Sequence, residues 1–206
     1  MRIPVALFAR YREAVGRGRV EVEVAEGATV EDVWAALTTP ERISRWFLPI
    51  SGDYTLGGRY QLEGNAGGEI VDCERPRRLK VTWEYGPDAG PASEVELRLS
   101  PADAGSTTVE LEHVAIVPDE MWDQFGPGAV GVGWDGGVLG LALHLRGGSV
   151  SDPIAWQLSD EGREWAARSS VAWGAAYEAS GADPAVVATA VANTTAFYAP
   201  DPETPA

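Results

Sequence analysis

Residues 33–49, which read VWAALTTPERISRWFLP, constrain the fold of this chain more than any other segment. Thr29 is placed to cap a first helix, with an acidic residue three positions later as in a capping box. Thr39 is placed to cap a second helix whose first residue is Pro40. The apolar side of that second helix is formed by Ile43, Trp46 and Phe47. The sequence therefore predicts two short consecutive helices that cover a hydrophobic surface.

Period-two alternation of apolar and polar residues predicts antiparallel strands on both sides of these helices. The clearest run is RRLKVTWEY from Arg77, and STTVELEH from Ser106 ends with His113 in phase with its apolar residues. The predicted strands occupy residues 20–24, 54–62, 77–85, 93–99 and 106–113. Turns rich in glycine and proline separate the later ones, so we expect an antiparallel meander.

A long helix is predicted from Val130 to Leu145, because the apolar spacing changes there to that of one helical face. That face consists of Val130, Trp134, Val138, Leu141 and Leu145. Each glycine inside a helix costs about 1 kcal/mol relative to alanine, so the many glycines predict close backbone packing or a kink near Gly136 and Gly137. The same glycines, together with Asp135, argue against a membrane span.

Residues 149–206 are predicted to form a helical hairpin extension with a disordered tail. Ser159 is placed to cap the first helix, and Asp183 with Pro184 starts the second. The hairpin carries an apolar surface made by Trp165, Trp173, Tyr177 and Phe197. That surface needs either the remainder of the same chain or a second copy to cover it, and the second arrangement would be a homodimer.

The order of these patterns from about residue 20 to residue 145 resembles the activator-of-heat-shock-protein-90-ATPase homologue branch of the START-like (SRPBCC) superfamily. The resemblance implies an α+β helix-grip fold over residues 1–148, in which a curled antiparallel sheet surrounds a long C-terminal helix. It also implies an apolar cavity between the sheet and the helix. Because such cavities serve different ligands and chemistries, the fold alone does not identify a function.

Residues 1–37 carry a second resemblance, to the ubiquitin-like small subunit of molybdopterin synthase. That family acts through a C-terminal Gly-Gly, whereas this sequence ends in DPETPA. We therefore interpret the similarity as structural, with residues 20–24 serving as the first strand of the grip.

Charge and cysteine content exclude several classes of function. The 16 basic and 31 acidic residues give a net charge of −15, which disfavours nucleic acid and anionic membranes as partners. Cys73 is the only cysteine, so the chain forms no internal disulfide. The first residues lack the uninterrupted apolar segment of a secretory signal, so a cytoplasmic protein is expected.

Few residues have a pattern that indicates catalysis or metal binding. His113 is the candidate catalytic residue, because an imidazole on the inner side of a strand titrates near neutral pH. A buried structural histidine is the more common outcome at such a position, and we expect His113 to be dispensable for folding and ligand binding. Two histidines and one cysteine are too few for a typical zinc site, so no metal and no cofactor are predicted.

Aromatic side chains on the elements that border the expected cavity suggest a ligand site. With His113, the candidate ligand-binding residues are Trp46, Phe47, Tyr60, Trp83, Trp122 and Trp134. The leading hypothesis is a protein that binds a small hydrophobic or aromatic molecule. One alternative is a cyclase, dehydratase or hydrolase that uses His113 and Tyr60 as acid and base. Another, which the family resemblance implies, is a chaperone-associated module that activates an ATPase.

Overall fold

The computed structural model describes residues 8–9, 17–24, 28–86, 93–102 and 105–200. Most of the segment that resembles the molybdopterin synthase subunit lies outside these residues, as does most of the predicted disordered tail. Those two predictions are therefore not tested by the structure.

Strands come first along the chain and helices dominate its second half. The strands are β1 (Phe8–Ala9), β2 (Arg17–Val24), β3 (Ile50–Gly52), β4 (Arg59–Leu62), β5 (Gly67–Glu74), β6 (Arg78–Trp83), β7 (Ser93–Pro101) and β8 (Thr107–Val114). The helices are α1 (Val30–Thr38), α2 (Pro40–Ile43), α3 (Asp119–Phe125), α4 (Gly128–Leu145), α5 (Pro153–Gln157), α6 (Asp160–Ala179) and α7 (Pro184–Tyr198).

All strands belong to one antiparallel sheet in the order β1-β2-β8-β7-β6-β5-β4-β3. The predicted meander corresponds to β3 through β8, whose neighbours along the chain are also neighbours in the sheet. β2 returns to pair with β8 along its whole length, from Arg17 opposite Val114 to Val24 opposite Thr107. The α+β helix-grip prediction is confirmed, although the described residues form eight strands rather than a seven-strand arrangement.

The two faces of the central strands differ in polarity. In β8 every second residue is buried, including Val109, Leu111 and His113. The opposite face carries charged side chains that pair across strands, such as Lys80 with Glu94 at 2.7 Å and Arg98 with Glu112 at 3.1 Å. This alternation fixes the register, because a shift by one residue would place the charges in the core.

The two consecutive helices form where predicted, with two differences in the second. Helix α2 ends at Ile43, so Trp46 and Phe47 lie in the turn that follows it and not on its apolar side. The second cap also differs from the prediction. Thr29 Oγ1 accepts a hydrogen bond from the backbone N–H of Asp32 at 3.2 Å. Thr39 occupies the N-cap of α2, but its side chain makes no capping hydrogen bond. Pro40 at the first helical position supplies the change of direction instead, because its fixed φ suits the start of a helix.

The strand predicted over residues 54–62 begins later than expected. Tyr54 and Leu56 lie in the turn between β3 and β4 and are exposed, whereas Tyr60 and Leu62 are buried in β4. Gly57, within that turn, has a φ of 80°, a conformation that glycine adopts without strain.

Helix α4 is buried on two sides, so its apolar residues are not restricted to one stripe. Leu141 and Ala142 pack with α1 and the sheet, while Val132 and Val138 pack with Trp173 of α6. A helix enclosed in this way is apolar around its circumference. Val130, predicted to lie on the buried face, is 43% exposed.

The glycines of α4 allow close approach of neighbouring elements, as predicted. A Cβ on Gly131 would lie 2.1 Å from the Trp173 ring, and one on Gly140 would lie 2.4 Å from the carbonyl oxygen of Trp46. The helical cost of these glycines is therefore offset by contacts that no larger residue permits.

Helices α6 and α7 form the predicted hairpin, which packs on α3 and α4 of the same chain. Ser159 Oγ accepts from the Gly162 N–H, and Asp183 caps α7, whose first residue is Pro184. Trp173 and Tyr177 are buried, but Phe197 is 63% exposed. The division into domains 1–148 and 149–206 remains a prediction, because the hairpin shares a hydrophobic cluster with α4.

Among the described residues, no helix combines the length and apolar character that crossing a membrane requires.

Two glycine substitutions on α4 are expected to change stability in opposite directions. Gly136→Ala should raise the free energy of unfolding by about 1 kcal/mol, because its Cβ would make an ordinary contact 3.7 Å from Trp165. Gly131→Ala should lower it by about 1–3 kcal/mol, because Trp173 must move. Urea unfolding of both variants tests this, and equal effects would contradict the packing described.

Truncation after Gly148 should lower solubility or change the oligomeric state. The truncated chain would expose the side of α4 that Trp173 covers, and contiguous apolar patches of that kind associate in water. Sedimentation and thermal unfolding of the full and truncated chains test this. Identical masses, solubilities and thermal midpoints would mean that the hairpin is an independent appendage.

Candidate functional site

A cavity of about 290 Å³ lies between the inner face of the sheet, helices α1 and α2, and Trp134 of α4. Its apolar lining comes from several elements: Trp34, Leu37, Ile43, Trp46, Phe47, Ile50, Tyr60, Leu62, Ile70, Leu79, Val81, Trp83, Val95, Leu97, Leu111 and Trp134. Five of the aromatic residues predicted from sequence are among them. The alternation of β4 and β6 through β8 and the aromatic pair after α2 bring these side chains together.

The aromatic rings of the lining form a connected group. Trp83 and Trp134 have ring centroids 5.0 Å apart, and Phe47 stacks on both Trp46 and Trp134 at 5.5 and 6.5 Å. Tyr60 lies 6.4 Å from Trp83. These spacings are typical of favourable aromatic pairs, so the rings support one another as a wall.

Polar atoms of two lining residues are bonded to backbone carbonyls. Trp46 Nε1–H donates to Ala36 O at 3.0 Å, and Tyr60 Oη–H donates to Thr82 O at 2.7 Å. Burial raises the pKa of Tyr60, so its hydroxyl stays protonated and bonded. The rings consequently present mainly apolar surface to the cavity.

Trp83 differs from these residues, because its Nε1–H has no acceptor among the described residues. The rings of Tyr60, His113 and Trp134 lie around it. A buried donor without a partner costs about 1–3 kcal/mol. Since this nitrogen is fully covered by protein, it does not face the open part of the cavity.

His113 is held in one tautomer by three neighbours. Trp134 Nε1–H donates to Nδ1 at 3.1 Å, so the proton of the neutral ring lies on Nε2, which is 2.9 Å from Ser93 Oγ. Ser93 Oγ–H in turn donates to Trp83 O at 2.8 Å. Burial lowers the pKa of His113 to about 4. The imidazole is therefore neutral at physiological pH, with both nitrogens bonded to protein atoms.

His113 and Trp122 do not line the main cavity, which departs from the predicted ligand set. Both contact a separate pocket of about 50 Å³ between α3 and α4. Trp122 packs edge-on against Tyr177 of the hairpin, at a centroid distance of 5.5 Å. The sequence places Trp122 on an element near the cavity, but α3 turns toward the hairpin instead of the sheet.

Three lining residues that the sequence did not indicate as ligand contacts lie at the mouth of the cavity. Tyr54, Cys73 and Arg75 contact the cavity and are exposed. Tyr54 belongs to the turn before β4, Cys73 to β5, and Arg75 to the turn after β5. Residues in turns carry no periodic pattern, so the positions of Tyr54 and Arg75 relative to the cavity required the folded structure.

A buried carboxylate joins α4 to α6. Asp135 is 2% exposed, and its Oδ2 accepts hydrogen bonds from Ser169 Oγ and from Trp173 Nε1 at 3.0 Å. Burial raises the pKa of Asp135 to about 6, although the two donors favour the charged form. The only sequence signal for this contact was a carboxylate inside an otherwise apolar segment.

Metal binding has no structural support in the described part of the chain, where no three His, Cys, Asp or Glu side chains group to hold an ion.

A curled sheet with an aromatic-lined cavity beneath two short helices and one long helix defines a cavity-bearing helix-grip protein. The chain belongs to the activator of Hsp90 ATPase homolog 1-like protein family, whose profile matches residues 27–138. This confirms the resemblance inferred from sequence. No curated protein matches the chain significantly.

Solved structures with related sequences share this fold. The crystal structure of CalU16 from Micromonospora echinospora is 37% identical and aligns over 81% of this chain and 97% of its own, with a TM-score of 0.55. The solution structure of CalU16 aligns at 32% identity over 87% of this chain and 100% of its own, with a TM-score of 0.66. DynU16, a protein of the dynemicin biosynthetic locus, is 28% identical over 64% of this chain and 47% of its own, at a TM-score of 0.52.

Asp135 and His113 contribute to stability with opposite pH dependence. The pKa of Asp135, about 6, lies above its ordinary 3.8, so its contribution is full below pH 3.8 and is lost as the pH rises through 6. The pKa of His113, about 4, lies below its ordinary 6.5, so its contribution is full above pH 6.5 and is lost as the pH falls through 4. Each contribution is roughly 3 kcal/mol, because one pKa unit corresponds to about 1.4 kcal/mol.

Non-titrating variants should separate the two contributions. Relative to the unchanged protein, Asp135→Asn should lose stability as the pH falls from 6 to 4, whereas His113→Gln should gain it as the pH falls from 6.5 to 4. Urea unfolding across this range measures both differences. Stability differences that do not vary with pH would show that neither group titrates as its burial requires.

Proposed function

We propose that this protein binds a small hydrophobic or aromatic molecule in the cavity between the sheet, α1, α2 and α4. The observation that carries the proposal is a cavity of about 290 Å³ whose lining is mostly apolar and includes seven aromatic side chains around one space, namely Trp34, Trp46, Phe47, Tyr54, Tyr60, Trp83 and Trp134. Ligand sites in proteins are commonly concave and apolar in this way.

The volume favours a compact ligand. An apolar cavity of about 150 Å³ admits benzene, so a cavity twice that size accommodates a molecule of about two fused rings. Ligand pockets typically begin at about 300 Å³, which places this cavity at the lower end of the range. Flat rings suit the site because aromatic side chains already lie on several of its walls.

A biosynthetic setting for one relative is consistent with a small organic ligand. DynU16 belongs to the dynemicin biosynthetic locus and is 28% identical over the aligned region. The alignment spans less than half of that chain, so it supports the class of ligand and not its identity.

The geometry favours binding over catalysis by His113. A general base must reach the substrate with a free nitrogen, and both nitrogens of His113 are bonded to Trp134 and Ser93. Tyr60 Oη is likewise bonded to a backbone carbonyl. The enzymatic alternative would therefore require these bonds to break before each reaction.

The chaperone-associated alternative rests on the family name alone. Among the described residues, no surface feature distinguishes an ATPase-activating module from a ligand-binding one. Capture of this chain by the chaperone would support the alternative, as would stimulation of its ATPase.

Naphthalene should bind the cavity with one-to-one stoichiometry. Nuclear magnetic resonance titration should shift the indole N–H signals of Trp46, Trp83 and Trp134, and leave that of Trp156 unchanged, because Trp156 packs on Trp165 away from the cavity. Val81→Phe, which places a ring inside the cavity, should abolish these shifts.

Val171→Phe is the matched control, because it adds the same ring on the outer side of α6, where Val171 is 59% exposed. It should bind naphthalene as the unchanged protein does. Shifts spread over all tryptophans, or binding that persists in a folded Val81→Phe variant, would contradict the proposed site.

A further inference from the structure

Basic side chains of β6 and of the turn before it differ in whether they have carboxylate partners. Arg78 pairs with Asp72, and Lys80 pairs with Glu94 at 2.7 Å. Arg75 lines the cavity and is exposed, yet within the described part of the chain its guanidinium makes no ion pair or hydrogen bond. Arg75 is therefore a cation with open donors at the entrance of an apolar space.

The net negative charge of the protein means that an anionic ligand would need a local cation such as Arg75. With 31 acidic and 16 basic residues, the chain repels anions in general. An anion that binds such a protein needs a local cation, and the guanidinium group offers a planar fork of N–H donors that fits a carboxylate.

Tyr54 is a second polar group at the mouth. Its pKa is raised by burial and then by the charge of Glu41, so its hydroxyl stays protonated at neutral pH. Glu41 is thus a negative group near Tyr54 that disfavours an anion on that side. The charged end of a ligand is consequently directed toward Arg75.

We infer that the ligand is an aromatic or hydrophobic acid, whose apolar body lies among the aromatic rings and whose anionic group is bound by Arg75 at the mouth. The inference rests on the proposed function and narrows it to one class of ligand. It makes Arg75 a specificity-determining residue, which selects anionic over neutral molecules of the same shape.

The probes 2-naphthoate and 2-naphthamide test the inference, because they share the ring system and shape and differ in charge. Titration of the unchanged protein, followed by the indole N–H signals, should show 2-naphthoate binding about three- to fivefold tighter, as for an exposed ion pair. This preference should weaken as salt is raised to about 0.5 M, because salt screens exposed charges.

Arg75→Gln should abolish the preference while leaving the affinity for 2-naphthamide unchanged, which also reports that the cavity is intact. Arg77→Gln is the matched control, because Arg77 is exposed and two positions away but does not line the cavity. It changes the net charge equally and should keep the preference.

The possible failures are distinguishable. If 2-naphthamide and naphthalene bind but 2-naphthoate shows no preference, or if the preference survives in Arg75→Gln or is lost in Arg77→Gln, the role of Arg75 is wrong and the proposed function stands. If none of the three probes shifts the cavity tryptophans, the proposed function itself is wrong and the inference fails with it.

Discussion

The enclosure of α4 between the sheet and the C-terminal hairpin is the constraint on which the remaining structure depends. One side of the helix completes the core with α1 and the sheet, and the other side carries the hairpin. Such an arrangement requires close backbone approach on both sides, which Gly140 provides toward Trp46 and Gly131 toward Trp173. Because Trp46 and Trp134 also belong to the cavity wall, the packing of α4 helps to determine the shape of the cavity.

Trp134 links the cavity to the buried polar groups. Its ring forms part of the cavity wall, while its N–H holds His113 in the neutral tautomer. Asp135, the next residue along α4, accepts hydrogen bonds from Ser169 and Trp173 of α6. Adjacent side chains of one helix therefore serve the two interfaces. The helix is thereby fixed in rotation by hydrogen bonds on both sides.

Sequence periodicity was sufficient for most of the fold but not for the contacts that α3 and α4 make with the hairpin. Alternation in 77–85 and 106–113 identified strands and the inward direction of Trp83 and His113, because a strand buried on one face must alternate. The exposure of Val130 and the route of α3, which takes Trp122 away from the cavity, depend on where the hairpin packs. Periodicity within one element does not contain that information.

The candidate site was predictable where it consists of core-like aromatics and unpredictable where it consists of turns. Arg75 has no local pattern that distinguishes it from the neighbouring arginines. Its proposed role follows from the folded chain, where Arg78 pairs with a carboxylate and Arg77 does not line the cavity. An apolar wall sets how strongly a compact molecule is held, since hydrophobic burial is not directional. Selection among molecules of one shape then depends on the few polar groups at the mouth, which explains why a shared cavity architecture does not define a shared ligand.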